Sequence, residues 1–420
     1  MIYVWCIFYL KYEMALKINS QKSWIFCCFL NFLIASIMGL IMRFSYIYPL
    51  NINYGYLLHA HSHIAMLGWA YLVIYVLVVC FFIPKDKIEK PIYNQLFWCT
   101  EVTVVGMMVS FPFQGYALFS IIFSTAHILL SYIFCWLVWK DSCIAKTGCQ
   151  KLVLTAVVFM IFSTFGIWCL GPAVSTLGKQ SNFYQIAIQF FLHFQFNGWF
   201  LIAVLALFLR QFRNEINIKH LEIFENLLVI SALLTFAFPL SRYLDSEIIK
   251  LINALGVLLQ LLAYLYFYKI IKPEIKFFKD NLNSITKIVY GLALSSLFLK
   301  ISIQLLVLIP DIAETSHQVR NFVIGFIHLT SLGILTGFLF GILLQNKILP
   351  NQSHWLRLGM KFFILGYLAT EVLLFLQGIF FYFGKGKLPG YYESIFIMSF
   401  SIVSGLMLIV TSIIKKTRVN

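Results

Sequence analysis

Several of the nine histidines in this 420-residue chain fall inside apolar runs long enough to cross a bilayer. The second such run opens with Leu58-His59-Ala60-His61-Ser62-His63, and three later ones carry His127, His193 and His328. An ionisable residue in an apolar helix is costly, so it faces the bundle interior, pairs with a polar group or serves a ligand. Imidazole binds copper and haem iron, and several imidazoles at one depth therefore point to a buried metal or haem site.

Spacing sorts these residues. His59 and His63 are four apart and share a helix face, with Met66 continuing the stripe, whereas His61 projects the other way. At most two of the three can serve one cofactor. Gln189, His193 and Asn197 form a line at successive turns, followed by Gly198-Trp199. His328 lies among Gly325, Ser331, Gly333, Gly337 and Gly341, residues small enough for close helix approach or for a flat cofactor. Glu101, Lys300 and Glu371 are further charges within apolar runs. Lys300 stands between Ser296 and Gln304, and Glu371 follows Tyr367 by one turn, so a proton path and a Lys300–Glu371 salt bridge are both open. His220, His317 and His354 fall between runs and are expected to be solvated.

The elements that must position these groups follow from composition. Apolar residues make up 61% of the chain, aromatic residues 18% and charged residues 11%, with a mean hydropathy of +0.88. These values describe an all-α polytopic membrane bundle and exclude a soluble core. A span needs about 20 apolar residues. Twelve candidates satisfy this: Trp24 to Phe44, Tyr56 to Ile83, Ile92 to Phe113, Ala117 to Trp139, Leu152 to Leu170, Phe183 to Leu209, Glu222 to Leu240, Ile248 to Ile271, Thr286 to Ile309, Asn321 to Leu344, Gly359 to Phe383 and Ser394 to Ile414. The connections are too short for a soluble domain. The chain thus reads as an N-terminal segment over 1–23, one transmembrane domain over 24–414 and a basic tail over 415–420. The start, Met1-Ile2-Tyr3-Val4-Trp5, lacks the features of a signal peptide, and Met14 is a plausible initiator.

The formal charge of +15 is distributed by topology. With both termini on one side, that side holds about 23 of the 31 Lys and Arg residues and the other about seven. This is the positive-inside pattern of a bacterial inner-membrane protein with cytoplasmic termini. The basic loops, including 269–279, are topology determinants that also meet membrane lipid, and no nucleic-acid partner is indicated. The nine cysteines show no CxxC and read as packing residues. In this orientation His63, His127, His193 and His328 sit about 10 to 15 Å below the outer ends of helices 2, 4, 6 and 10.

Twelve helices with histidines on the second, sixth and tenth resemble the catalytic subunit of haem–copper oxidases and nitric oxide reductases, and the smaller NnrS-type haem–copper membrane proteins. His63, in Leu58-His59-Ala60-His61-Ser62-His63-Ile64-Ala65-Met66-Leu67-Gly68-Trp69, matches the second-helix haem ligand. His328 resembles a tenth-helix ligand, and His193 to Gly198 is similar to the sixth-helix pattern of cbb-type oxidases. The resemblance implies a haem, of b type, held by His63 and His328, with His59 and His193 as candidates for a second metal, copper. His61, His127 and Asn197 are secondary candidates, and a donor protein or quinol would supply electrons. The seventh span lacks the paired copper ligands and the tenth has one histidine, so a complete oxygen-reducing centre is not indicated. The resulting expectation is a haem-binding protein of respiratory electron transfer or of nitric oxide and oxygen metabolism. Two alternatives belong to other classes: an ion- or proton-coupled transporter using Lys300, Glu371 and Glu101, and a non-catalytic structural subunit.

The charge pattern makes a topological prediction. Reporter fusions at Asn420 and within 140–151 are expected to give cytoplasmic signals; a periplasmic signal at either would reverse the helix directions or change the span count.

Overall fold

The structure, a computed structural model, describes residues 2–142, 148–212 and 216–419. The side chains of 2–20 and 416–419 lie outside the described residues, so the readings of Met14 as initiator and of the basic tail fall there. No strand occurs among the described residues. Twelve helices among the described residues are long and apolar enough to cross a membrane. In chain order they are helix 1 (Gln21–Phe44), helix 2 (Tyr54–Phe82), helix 3 (Pro91–Gln114), helix 4 (Leu118–Asp141), helix 5 (Cys149–Thr176) and helix 6 (Asn182–Leu209). Helix 7 (Ile218–Ser241), helix 8 (Glu247–Asn281), helix 9 (Ser284–Leu306), helix 10 (Arg320–Gln345), helix 11 (His354–Tyr382) and helix 12 (Tyr391–Lys415) follow. The chain is therefore an all-helical, multi-pass membrane protein.

Local chemistry sets the helix starts. Asn53, Ser181, Asn217 and Asn283 precede helices 2, 6, 7 and 9, and each side chain accepts a first-turn backbone N–H. Such caps satisfy donors that the helix itself leaves unpaired. Three details differ from the sequence-based expectation. The basic stretch 269–279 is largely helical, because helix 8 passes through a short 3₁₀ turn at Lys272–Glu274 and resumes as Ile275–Asn281. His220 belongs to the first turn of helix 7, at the end away from the His193 level, because the Asn217 cap starts that helix early. His317 lies in a connecting helix, Pro310–Gln318, and stacks on Phe238 at 4.6 Å, so it is half-buried rather than solvated. Burial and the Arg242 guanidinium hold its pKa below the ordinary 6.5. His354, in contrast, is exposed.

The chain forms two compact units, Met1–Cys143 with Pro350–Gly366 and Phe396–Asn420, and Ile144–Leu349 with Tyr367–Ile395. In the first, the rings of Phe29 and Phe32 pack on Trp69 at 4.9 and 4.5 Å, joining helices 1 and 2. Helices 11 and 12 meet at Gly359 and Gly405, where a Cβ on either would stand 2.6 Å from the other's carbonyl oxygen. In the second unit, Gly333, Gly337 and Gly341 of helix 10 face Ser296, Ala293 and Tyr290 of helix 9 in antiparallel register. Small residues give close backbone approach in an environment that offers little hydrophobic drive for helix association.

Helices 2, 6 and 10 are the interior elements: 72, 78 and 78% of their apolar cores are buried, against 28 to 50% for the other nine. Each also changes from α to π geometry part-way, at Ile64–Tyr71, Phe194–Phe200 and Leu329–Leu335.

The glycine contact predicts a differential effect. Gly359→Val forces two backbones apart and is expected to lower the thermal midpoint by several degrees, as a cost of about 1–3 kcal/mol would. Gly291→Ala, where no atom lies within 4 Å of the added Cβ, should leave it unchanged. Equal midpoints for the two variants would refute the contact.

Candidate functional site

Each π segment begins at the residue after a histidine, namely His63, His193 and His328. In each the residue five positions on is glycine: Gly68, Gly198 and Gly333. Five residues is the period of the π-helical hydrogen bond, and π turns are rare and concentrate at functional sites. The glycines lie where no side chain fits. A Cβ would meet Val104 and Asn31 at Gly68, Phe159 at Gly198, and Tyr367 and Ser296 at Gly333, all within 3.0 Å. This His-x4-Gly recurrence is legible in the sequence and is a sharper signal than the parity and depth of the histidines.

Widened turns displace backbone carbonyls from their usual partners, and an apolar bundle offers no water to replace them. Side chains meet the need. Asn31 Nδ2 donates to the Gly68 carbonyl at 3.1 Å and to Glu101 Oε2 at 2.9 Å, which ties helices 1, 2 and 3 together. Asn197 donates to the His193 carbonyl at 3.2 Å, and Thr336 Oγ1 to that of Ser331 at 2.9 Å. Glu101 is thus the acceptor of a buried structural amide.

In the first unit the sequence-based geometry of helix 2 holds. His59 and His63 both face Tyr116, with ring centroids at 4.7 and 5.9 Å, and His63 also packs on Phe111 at 4.4 Å. His61 points to helix 1, its Nδ1 2.8 Å from the Ala35 carbonyl and its ring against Gly39. The His63 ring has a defined tautomer: Nδ1 lies 2.8 Å from the His59 carbonyl and must donate, which leaves a lone pair on Nε2. The Tyr116 hydroxyl lies 3.5 Å from that Nε2. Tyr116 reaches it from the tight turn between helices 3 and 4, where Gly115 adopts a φ of 61°. Neither Phe111 nor Tyr116 carries a sequence signal, because their role depends on where that turn folds. His127 of helix 4 is buried against Tyr71 at 4.8 Å, and its Nε2 has no hydrogen-bond partner among the described residues.

The second unit treats its histidines differently. His193 Nε2 lies 2.8 Å from the Ala232 carbonyl of helix 7, and its Nδ1 lies 3.4 Å from the Asn197 amide. Helix 7 is interrupted after Leu234 and resumes at Ala237, where Pro239 removes a backbone donor. His193 bridges to helix 7 at this interruption. His328 Nδ1 lies 4.0 Å from Glu371 Oε1 on helix 11. Lys300, 1% exposed, donates to Gln304 at 2.9 Å and lies over the Phe326 ring. Lys300 thus pairs with Gln304 and Glu371 with His328, and the Lys300–Glu371 salt bridge, one of two roles left open for these charges, does not occur among the described residues. One turn away the Tyr367 hydroxyl meets Ser296 at 3.2 Å. Among the described residues, no group of three or more His, Cys, Asp or Glu side chains converges as a metal site would require.

Comparison with known proteins finds no match: no protein-family model fits the chain and no curated protein is significantly similar.

The Asn31 network predicts a structural phenotype. Asn31→Leu leaves the Gly68 carbonyl and the Glu101 carboxyl without their donor, at a cost of about 1–3 kcal/mol. A thermal midpoint at or above wild type in detergent would show that the network contributes nothing.

Proposed function

We propose that this chain is a haem-binding integral membrane protein, oriented with both termini in the cytoplasm of a bacterial inner membrane. Its role on this reading lies in respiratory electron transfer or in nitric oxide and oxygen metabolism. The observation that carries the reading is the state of the His63 imidazole, whose Nδ1 is occupied by a backbone carbonyl while Nε2 keeps its lone pair. This is the arrangement by which proteins fix the tautomer of an iron-ligating histidine. His63, with Phe111 and Tyr116 as ring contacts beside it, is the candidate haem ligand of the first unit, and His328 is the candidate ligand of the second. Bound haem would supply an iron centre whose potential follows its axial ligands and burial.

The chain's own residues have separable tasks. Asn31 and Glu101 secure the widened turn below His63, and the His59 carbonyl orients the His63 ring. His193, with Nε2 directed to Ala232, bridges helices, and among the described residues no group of three or more His, Cys, Asp or Glu side chains converges to hold copper. The proposal is of haem, with no copper site assigned. It retains the resemblance to haem–copper oxidase and nitric oxide reductase subunits, but not a complete oxygen-reducing centre. A transporter reading is favoured by the burial of Lys300 at 1% exposure. It predicts a colourless protein whose ion or proton flux is lost in Lys300→Met.

Purified protein is expected to show a Soret band and the spectrum of histidine-ligated haem. His63→Ala should abolish or convert that spectrum, whereas His220→Ala and His354→Ala should leave it as in wild type. His59→Ala tests whether the neighbour on the same face substitutes for His63. A haem-free wild-type protein, or an unaltered spectrum in His63→Ala, would refute the proposal.

A further inference from the structure

Glu371 is a carboxylate within an apolar helix, and the histidine expected to bind haem is the basic group beside it. Its Oε1 stands 4.0 Å from His328 Nδ1, and the two side chains are 19 and 26% exposed. Three features of the packing direct it there. Gly325, one turn before His328, has no side chain; a Cβ there would already touch Glu371 Oε2 at 3.7 Å. Tyr367, one turn before Glu371, is 1% exposed and its hydroxyl meets Ser296. Leu374, one turn after it, is fully buried in a cluster with Tyr391 and Ile395. Helix 11 is thus anchored on both sides of Glu371, which fixes the height of the carboxylate against helix 10. Lys300, the nearby cation of helix 9, has its amine at Gln304 and over the ring of Phe326.

We propose that Glu371 is a positioning residue for His328: its carboxylate, at ion-pair distance from Nδ1, favours the Nδ1–H tautomer and leaves Nε2 as the ligating atom. A carboxylate in this position also raises the basicity of a ligating imidazole. His63 and His328 then reach one chemical state by different means, the first through a carbonyl of its own helix and the second through an anion on a neighbouring helix. With haem bound, an ionised Glu371 would place negative charge next to the iron's ligand and would favour the oxidised metal. This inference deepens the haem reading and rests on it for the second of its two tests.

The first test uses the full-length protein without haem. Histidine labelled with nitrogen-15, with the His328 signals identified by their loss in His328→Asn, reports which ring nitrogen carries the proton. The wild-type protein should show Nδ1–H. Glu371→Gln, which keeps an acceptor oxygen, should retain that tautomer, whereas Glu371→Leu should lose it. A proton on Nε2 in wild type, or no change in Glu371→Leu, would overturn the proposal. The second test is a redox titration of bound haem. At fixed ambient potential, Glu371→Gln should raise the reduced-to-oxidised ratio about tenfold, a shift of about 59 mV for a one-electron couple. An unmoved ratio in a haem-loaded variant also overturns the proposal. A haem-free wild-type protein with the Nδ1–H tautomer in place refutes the haem reading alone and leaves the role of Glu371 in orienting His328 standing.

Discussion

The structure depends on a rule that apolar surroundings impose without exception: every backbone carbonyl taken out of the helical ladder must find another donor. Helices 2, 6 and 10 break the ladder on purpose, with π turns directly after a histidine. The residues that repair the breaks are the polar residues placed in otherwise apolar helices. Asn31 serves the Gly68 carbonyl, Asn197 the His193 carbonyl and Thr336 the Ser331 carbonyl, and His193 serves the Ala232 carbonyl near the interruption of helix 7. Polar residues that look like catalytic candidates in a hydropathy profile therefore divide into those that sustain backbone geometry and those left over. Glu101 and Asn197 fall in the first group.

The widened turns also explain why three helices can carry a polar ring and still be the most buried elements of the chain. Below each histidine, a glycine five residues on lets a neighbouring side chain come within van der Waals range of the helix backbone. Residues 333–344 of helix 10 and 198–209 of helix 6 are buried without interruption, whereas the histidines that precede them are half-buried. The change from accessible ring to sealed interior occurs at the π turn. A group bound at any one of these histidines would stand at such a boundary, close to surroundings of low dielectric.

The histidines themselves show that residue type alone does not define a ligand. His61, His63 and His193 all lie within hydrogen-bond reach of a carbonyl oxygen, yet the ring nitrogen involved differs. Where Nδ1 donates, Nε2 keeps its lone pair, as at His61 and His63; where Nε2 donates, as at His193, the ring becomes a bridge between helices. Of the two rings with Nδ1 engaged, His61 is turned to Ala35 and Gly39 of helix 1 and His63 to Phe111 and Tyr116.

By itself the sequence determined the twelve spans, the all-helical class, the shared face of His59 and His63 and the divergence of His61. All of these follow from local periodicity and from the bilayer's demand for about 20 apolar residues per span. It also contained the His-x4-Gly recurrence, a regularity visible only when the three segments are aligned on their histidines. The tertiary structure alone decided which partner each buried polar group takes. Lys300 turned to Gln304 on its own helix, Glu371 to His328 and Glu101 to Asn31, and Tyr116 reached His63 from a turn 53 residues away in sequence. The reason is physical: periodicity fixes the face on which a side chain stands, but a hydrogen bond is settled within a few tenths of an ångström. That distance depends on how neighbouring helices slide and rotate as their glycines and aromatic rings interlock.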